Sequence, residues 1–304
     1  MRRTASKPLA TTPASSVSEK DLAAALSWAV SLLRDSGITT PLPDAELLAA
    51  HTLGESRGRV SALKIAGFQF NDAQADTFED LVSERAQRIP LQHLTGKAPF
   101  RYLELEVGPG AFVPRPETES VAGLVIDYLK DAPAGSKVVD LGTGSGAIAA
   151  SIAHEVPHAD VTAVELSPHA FAWAERNLSP LGVRLLAGDF GTALEEEEAS
   201  FAVVISNPPY IPTGAVPQDE EVRLHDPEMA LYGGSEDGLK FPRIVMQRAA
   251  FLLEDDGFFV MEHAEVQAAA VTKILAGTGL WRDIQTHQDL TGRDRATSAR
   301  RLSR

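Results

Sequence analysis

Short apolar runs alternate with helix-like segments from residue 137 onward, and this alternation restricts the fold more than any other feature of the sequence. The apolar runs cover residues 138–141, 161–165, 183–186, 201–205 and 258–261. Amphipathic segments at 146–156 and 168–178 separate the first three of them. Strands that alternate with helices predict an α/β fold, in which helices cover both faces of a mostly parallel sheet.

The first run leads into a glycine-rich loop at residues 140–146, with the sequence Asp-Leu-Gly-Thr-Gly-Ser-Gly. Its glycines allow a tight turn and a close approach between backbone and ligand. Gly142, Gly144 and Ala147 fit the loose dinucleotide-binding pattern, whereas the whole loop resembles the S-adenosylmethionine loop of class I methyltransferases. Asp140 favours the second interpretation, because its carboxylate would attract an ammonium group and repel a pyrophosphate. The residues predicted to form the donor site here are Asp140, Gly142, Thr143, Gly144, Ser145 and Gly146.

Acidic residues also follow the next two runs. Glu165 ends the second run, 25 residues after Asp140. An acid in this place can accept hydrogen bonds from both ribose hydroxyls of an adenosine. After the third run, Asp189 could accept a hydrogen bond from the adenine amino group, and Phe190 could lie against the ring. We therefore expect Glu165, Asp189 and Phe190 to complete the donor site.

The tetrapeptide Asn-Pro-Pro-Tyr at residues 207–210 follows the fourth run. It is therefore expected at the carboxyl edge of the sheet, where open α/β sheets bind their ligands. The prolines fix the loop and remove two backbone donors. The Asn207 side-chain oxygen and the Pro208 carbonyl can then accept the two hydrogens of an –NH₂ group, beside an aromatic wall from Tyr210. This arrangement suits a planar nitrogen that must be oriented toward a methyl donor and stabilised as positive charge develops on it.

These motifs resemble those of class I methyltransferases acting on exocyclic or amide nitrogens. Within that group, the sequence is most similar to the peptide chain release factor glutamine methyltransferases of the HemK/PrmC family. The resemblance runs from about residue 20 onward, through motifs at residues 88–96, 112–119, 140–146, 207–212, 230–239 and 289–295. Two departures occur: Asp226 stands where the family usually has Glu, and Ala264 stands where it often has Gly.

The resemblance implies a Rossmann-like methyltransferase domain with a mostly parallel seven-stranded sheet, preceded by a small all-α domain and a β-hairpin linker. It implies methyl transfer from S-adenosylmethionine, giving S-adenosylhomocysteine without a metal. The acceptor would be the side-chain amide nitrogen of the glutamine in the Gly-Gly-Gln motif of bacterial release factors. The catalytic residues would be Asn207, Pro208 and Tyr210, with Asn207 also contacting the donor. The substrate-binding residues would be Asn207, Pro208, Pro209, Tyr210 and Arg115.

The composition and patterning of the remaining segments predict the domain boundaries. Residues 1–17, rich in Ala, Ser, Thr and Pro, are expected to be a disordered tail. Residues 18–90 predict a helical domain for substrate docking, with helices over 18–37, 44–54 and 71–88; the last begins at Asn71 and is ended by Pro90. Residues 91–115 predict a hairpin linker that turns at 108–110, and residues 116–304 the methyltransferase domain.

Composition restricts the function. With 28 basic and 42 acidic residues, the net charge of −14 weighs against broad attraction to nucleic acid. The absence of cysteine excludes thiolate chemistry. No apolar run reaches the roughly 18 residues of a membrane span, and we expect a cytoplasmic protein. Residues 154–158 match the zinc-protease pattern His-Glu-x-x-His, but Pro157 should break the helix between the two histidines.

The sequence leaves three other functions open. A nucleic-acid amino methyltransferase would use residues 207–210 in the same way, but would need a basic surface for the backbone. A nicotinamide dehydrogenase explains the glycine loop but gives residues 207–210 no role. A non-catalytic adenosine-binding module is the third. Binding of S-adenosylmethionine and of NAD, and methyl transfer to a release factor or to RNA, would separate these rivals.

Overall fold

The computed structural model describes residues 20–217 and 219–303, and the predicted tail at 1–17 lies outside them. The described residues form two compact units, the first ending at Leu91 and the second beginning at Gln92. Each unit has an apolar interior of its own.

The described part of the first unit is helical, with α1 (Leu22–Asp35), α2 (Pro41–Leu53), α3 (Arg57–Ile65) and α4 (Asp72–Ala86). The predicted N-cap of α4 is confirmed: the Asn71 side chain accepts a hydrogen bond from the Gln74 backbone, and the Gln74 side chain accepts one from the Asn71 backbone. The sequence did not predict α3, because Val60 is its one buried residue and it has no apolar stripe.

A short helix, α5 (Leu91–Thr95), precedes an antiparallel hairpin of β1 (Lys97–Phe100) and β2 (Leu103–Glu106). The chain does turn at 108–110, where the Ala111 backbone donates a hydrogen bond of 3.4 Å to the Gly108 carbonyl, but the prediction that this is the hairpin turn was wrong. The two strands are joined at residues 101–102, where Arg101 adopts a φ of 51°, a left-handed conformation that is uncommon outside Gly, Asn and Asp. Gly108 also serves packing, since a Cβ at this position would collide with the ring of Trp173.

The second unit contains a seven-stranded sheet in the order β5-β4-β3-β6-β7-β9-β8. Its strands are β3 (Lys137–Leu141), β4 (Asp160–Glu165), β5 (Arg184–Ala187), β6 (Phe201–Ser206), β7 (Leu253–Glu262), β8 (Trp281–Gln288) and β9 (Asp294–Arg301). All neighbours pair in parallel except β9, which is antiparallel to both β7 and β8. The mostly parallel sheet predicted from the alternating pattern is confirmed.

Helices cover both faces of this sheet. The α-helices after β2 are α6 (Pro116–Leu129), α7 (Ala147–Glu155), α8 (Pro168–Leu178), α9 (Glu220–His225), α10 (Glu228–Leu231), α11 (Lys240–Leu252) and α12 (Ala268–Thr278). Of these, α6, α7, α8, α11 and α12 pack against the strands. Val138 and Val203 belong to the apolar cluster that includes α6 and α7. The adjacent Val139 and Val204 belong to the cluster that includes α11 and α12. The central strands β3 and β6 are therefore buried on both faces, as their continuous apolar runs require.

The strand order places a ligand crevice at the centre of the sheet. From β3 the chain moves outward through β4 to β5 and then returns to form β6 on the other side of β3. The connections on the two sides of β3 therefore diverge at its carboxyl end. In open α/β sheets, ligands bind at such a switch point.

Candidate active site

A cavity of about 860 Å³ lies at this switch point. Its volume is within the range of about 300–1,000 Å³ that is typical of small-molecule sites. Most of the predicted site residues line it: Arg115, Gly142, Thr143, Gly144, Ser145, Glu165, Asp189, Phe190, Asn207, Pro209 and Tyr210. The structure thus brings the glycine loop and residues 207–210 to one cavity, although they lie on different strands.

The glycine loop needs its glycines for two different reasons. Gly142 and Gly144 have φ angles of 78° and 61°, which L residues rarely adopt, and both line the cavity. Gly146, with a φ of 88°, does not line the cavity and instead precedes the first residue of α7. A Cβ at Gly146 would lie 2.9 Å from Cγ of Leu178, so this glycine lets α7 pack closely on α8.

The structure corrects the prediction that the Asp140 carboxylate faces a ligand. Asp140 is fully buried and does not line the cavity. Its Oδ2 accepts a hydrogen bond of 2.6 Å from the Thr143 hydroxyl, while its Oδ1 has no partner among the described residues. Burial raises the pKa of Asp140 to about 7. This carboxyl therefore supports the glycine loop through its hydrogen bond to Thr143.

Glu165 stands at the end of β4, where it both faces the cavity and holds the loop. Its Oε2 accepts a hydrogen bond of 2.8 Å from the Gly144 backbone, and its Oε1 accepts one of 2.7 Å from the Ser167 backbone. Burial raises the pKa of Glu165, while these backbone donors favour the charged form. Each oxygen retains a lone pair that can accept a hydrogen bond from a ligand hydroxyl.

Asp189 and Phe190 follow β5 and also line the cavity. Asp189 is exposed, and its Oδ1 accepts a hydrogen bond of 2.7 Å from the Gly191 backbone. Phe190 is half-buried and packs edge-on against Phe241, with ring centroids 6.2 Å apart. Both rings line the cavity and provide an apolar surface beside an acidic side chain. An aromatic base has a ring that packs on such an apolar surface and an amino group that can donate a hydrogen bond to the acidic side chain.

The segment after β6 presents three of its four residues to the cavity. Asn207, Pro209 and Tyr210 line it, whereas Pro208 is buried and is not among the lining residues. The Asn207 amide nitrogen donates a hydrogen bond of 3.4 Å to the hydroxyl of Thr118. With the nitrogen committed to Thr118, the Asn207 side-chain oxygen is available as an acceptor.

Tyr210 is held from both ends. Its hydroxyl donates a hydrogen bond of 3.2 Å to Oε1 of Glu262, and its backbone carbonyl accepts one of 2.8 Å from Gln267. Burial, with the charge of Glu262 adding to it, raises the pKa of Tyr210 well above its usual range. The hydroxyl therefore keeps its proton and acts as a donor to Glu262.

Several polar residues at this site were not predicted as site residues. Thr118, in the first turn of α6, and Arg295, in β9, line the cavity. Glu262 ends β7, and burial raises its pKa to about 7. Its position was a usable signal, because it follows a buried strand just as Asp140 and Glu165 do.

Two contacts hold the Arg115 side chain in place at the cavity wall. Its Nη2 lies 2.8 Å from Oδ2 of Asp226, and its guanidinium lies 5.0 Å from the centre of the Phe112 ring. The Asp226 side chain is buried, and burial raises its pKa to about 6 although Arg115 favours the charged form. Arg115 is thus a positioned cation at the cavity, as a substrate-binding role would require.

The other chemistry considered from the sequence finds no support in the geometry. α7 ends at Glu155, so His154 and His158 do not share one continuous helix, as Pro157 predicted. No three His, Asp or Glu side chains converge as a metal site within residues 20–217 and 219–303. In the same part of the chain, no helix is long and apolar enough to cross a membrane.

Comparison with known proteins decides the family. Two family models match, one described as the PrmC N-terminal domain over residues 24–96 and one as a methyltransferase small domain over residues 107–222. A release factor glutamine methyltransferase from Streptomyces coelicolor is 45% identical over 282 residues, which are 92% of this chain and 98% of that protein. One from Bifidobacterium longum is 43% identical over 283 residues, covering 89% and 96%. The chain belongs to the release factor glutamine methyltransferase family.

This membership confirms the family predicted from the motifs, and with it the enzyme class: the chain is a methyltransferase. A solved methyltransferase structure from Pyrococcus furiosus matches 73% of this chain and 100% of its own, with a TM-score of 0.50 and 21% identity. That likeness shows the methyltransferase fold. In the release factor glutamine methyltransferase family, the cavity at the switch point is the natural candidate for the active site.

Proposed function

We propose that the chain transfers a methyl group from S-adenosylmethionine to the side-chain amide nitrogen of the glutamine in the Gly-Gly-Gln motif of release factors. The observation that carries this proposal is the placement of Asn207 in the same cavity as the glycine loop, so that donor and acceptor sites adjoin. Relatives that are 45% and 43% identical bear the name release factor glutamine methyltransferase, which supports the choice of substrate.

The donor end of the cavity fits S-adenosylmethionine in shape and chemistry. Gly142, Thr143, Gly144 and Ser145 leave the backbone open along one wall. Glu165 offers free lone pairs to the ribose hydroxyls, while Asp189 and Phe190 suit the adenine. Asp140 and Gly146 contribute indirectly, by holding the loop and by packing α7 against α8.

The acceptor end orients a carboxamide. The Asn207 side-chain oxygen and the Pro208 carbonyl accept hydrogen bonds from the substrate –NH₂ group, and the Tyr210 ring limits its tilt. Arg115 binds the substrate at the cavity wall. The amide lone pair is delocalised, so orientation by fixed acceptors is the main contribution these residues make.

S-adenosylmethionine supplies an electrophilic methyl group on a sulfonium. Asn207 and Pro208 hold the amide nitrogen in line with that methyl, and their oxygens stabilise the positive charge that develops on nitrogen. The nitrogen then loses a proton to water, and no metal or protein base is required.

The decisive experiment incubates the full chain with labelled S-adenosylmethionine and an intact release factor, followed by mass mapping of the product. We expect one methyl group on the glutamine of the Gly-Gly-Gln motif, and none on a factor in which that glutamine is replaced by glutamate. The variant Asn207→Ala should lose about 10²–10³ in single-turnover rate with near-normal donor affinity. Lack of methylation of the factor would overturn the proposal.

The same experiment with ribosomal RNA and with DNA tests the alternative, an exocyclic amino group of a nucleic acid. The net charge of −14 favours a protein substrate over a nucleic acid backbone. Efficient methylation of RNA or DNA, with none on the factor, would select that alternative. Because its proposed substrate serves translation, the enzyme is proposed to act in the cytoplasm.

The helical unit at residues 20–91 is proposed to extend the docking surface, since one glutamine side chain gives little selectivity among proteins. Hydrogen exchange of the full chain, with and without a release factor, tests this role. Protection within the helical unit on binding supports it. Protection confined to the methyltransferase unit would show that the helices do not take part.

A further inference from the structure

We infer that Asp226 is a positioning residue, which ties the segment at 219–231 to Arg115 and so holds one wall of the cavity in place for the release factor. This inference rests on the proposed function, because it concerns how the cavity receives that substrate. Asp226 does not itself line the cavity. Its effect on the substrate must therefore pass through Arg115 and through the segment to which it belongs.

The segment at 219–231 contains the short helices α9 and α10 and is called the α9–α10 segment here. Its end is fastened beside the tetrapeptide at 207–210, because the Ile211 backbone donates a hydrogen bond of 2.8 Å to the Leu231 carbonyl. The segment supplies a large part of the cavity lining, namely Asp219, Val222, Pro227, Met229, Ala230 and Leu231. The shape of the cavity therefore depends on where this segment lies.

The ion pair of Asp226 with Arg115 fastens the same segment on its other side. Nη2 of Arg115 donates a hydrogen bond of 2.8 Å to Oδ2 of Asp226. Arg115 directly precedes the first residue of α6, and its guanidinium also lies 5.0 Å from the centre of the Phe112 ring. Both Arg115 and Phe112 line the cavity. The ion pair therefore joins two parts of the cavity wall that come from distant parts of the chain.

These contacts close a ring around the acceptor end of the cavity. The Thr118 backbone donates a hydrogen bond of 3.1 Å to the Arg115 carbonyl, and the Thr118 hydroxyl accepts one of 3.4 Å from the Asn207 side chain. Four residues after Asn207, Ile211 binds the end of the α9–α10 segment. Asp226 then returns the ring to Arg115. Loss of the ion pair opens this ring between the α9–α10 segment and the start of α6.

The burial of Asp226 favours a positioning role over a purely stabilising one. Its side chain is 1% exposed, whereas that of Arg115 is 24% exposed. Oδ1 of Asp226 has no hydrogen-bond partner among the described residues. A buried carboxylate with one oxygen unsatisfied costs folding free energy, and apolar residues would often fill such a place at lower cost. The pair therefore contributes a fixed geometry at the cavity wall more than it contributes stability.

Substitutions at the two partners separate these roles. Asp226→Asn keeps the shape of the side chain but removes the charge that holds Arg115. Asp226→Glu keeps the carboxylate, and the family usually has glutamate at this position. Arg115→Gln removes the cation, and its combination with Asp226→Asn leaves a neutral pair without an unpaired buried charge. The matched control is Glu155→Gln, because the Glu155 carboxylate lies 2.8 Å from Arg101 in another largely buried ion pair and neither residue lines the cavity.

The experiment measures single-turnover methylation of an intact release factor over a range of factor concentrations, and the affinity for S-adenosylmethionine, in each full-length variant. We expect Asp226→Asn to raise the half-saturating concentration of the factor about tenfold, the scale of a weakened charge-assisted hydrogen bond. Its maximal rate and donor affinity should stay within about threefold of the parent, because the reacting atoms are not touched. Asp226→Glu and Glu155→Gln should keep the parental half-saturating concentration.

The double variant tests whether Asp226 acts through Arg115. Its half-saturating concentration should match that of Arg115→Gln alone, because both changes break one contact. If Asp226→Asn does not fold, the neutral pair still decides the question by the same rise in half-saturating concentration. Parental binding in Asp226→Asn or in the neutral pair would overturn the inference. So would equal losses of factor binding, donor affinity and melting temperature, or failure of Asp226→Glu to bind better than Asp226→Asn.

A parent that methylates no release factor refutes the proposed function instead. Limited trypsin digestion of the full chain then decides the inference, because Arg223 in α9 is 48% exposed and offers a cleavage site within the segment. Cleavage after Arg223 should be about tenfold faster in Asp226→Asn, since it follows local opening of the segment. Asp226→Glu and Glu155→Gln should be cut at the parental rate. Equal cleavage of the parent and Asp226→Asn would show that the ion pair does not hold the segment.

Discussion

Replacing Glu165 by glutamine tests whether one side chain both supports the glycine loop and binds the donor. Its two oxygens accept hydrogen bonds of 2.8 Å and 2.7 Å from the backbones of Gly144 and Ser167. Glutamine keeps one acceptor and places an –NH₂ group against the other backbone N–H. One backbone donor therefore loses its partner, and the negative charge that faces the cavity is lost.

The magnitude follows from these losses. A buried donor left without a partner costs about 1–3 kcal/mol of unfolding free energy, which corresponds to roughly 2–4 °C in melting temperature per kcal/mol in a domain of this size. Loss of a charged acceptor for the ribose hydroxyls costs about 1.5–3 kcal/mol of binding free energy. The Kd for S-adenosylmethionine should therefore rise about 10- to 150-fold.

Calorimetric titration with S-adenosylmethionine and thermal unfolding measure the two effects separately. Glu175→Gln is the matched control, because Glu175 is an exposed residue of the neighbouring helix α8. It should change neither quantity appreciably. An unchanged Kd in Glu165→Gln would refute the donor role, and an unchanged melting temperature would refute the loop-support role.

Three further outcomes are expected. Gly146→Ala should lower the melting temperature more than Gly182→Ala, as both have positive φ but only Gly146 would place a Cβ 2.9 Å from a neighbouring side chain. Asp44→Ala should cost about 1–3 kcal/mol of unfolding free energy in the helical unit, measured by hydrogen exchange, because it removes the carboxylate 2.8 Å from the buried Arg85, which keeps its hydrogen bond to the Ile89 carbonyl. Since burial raises the pKa of Glu262 to about 7, the carboxylate form that accepts the Tyr210 hydroxyl increases as pH rises. The methylation rate should therefore rise with pH through about 7, and this step should be absent in Glu262→Gln.

Elements with a strong periodic pattern were predictable from the sequence, and those without one were not. β3, β4 and β6 are buried on both faces and appear as continuous apolar runs, while α8 was predicted with its observed bounds. β8 has mostly exposed side chains, with a burial pattern set by its partner β9 and no apolar run of its own. Whether such a segment forms a strand depends on its neighbours in the fold and not on its own sequence pattern.

The candidate site was predictable wherever it follows the end of a strand. The glycine loop, Glu165 and the segment at 207–210 each come directly after an apolar run, and the carboxyl ends of parallel strands share one edge. The contact between Asn207 and Thr118 was not predictable, because it joins residues of different elements that are 89 positions apart along the chain. The sequence pattern likewise does not show that the Asp140 side chain is buried and bonded to Thr143 instead of facing the cavity.

Three buried carboxyls, those of Asp140, Asp226 and Glu262, each have one oxygen without a hydrogen-bond partner among the described residues. Two of them, Asp140 and Glu262, lie at or near the carboxyl ends of β3 and β7, and burial raises the pKa of each to about 7. Such groups cost folding free energy, so a chain optimised for stability alone would replace them. Asp140 lies under the loop proposed to hold the donor, and Glu262 lies under the segment proposed to hold the acceptor. Asp140 accepts a hydrogen bond from Thr143 of that loop, and Glu262 accepts one from Tyr210 of that segment, so the stability lost is the physical reason to assign both carboxyls to function.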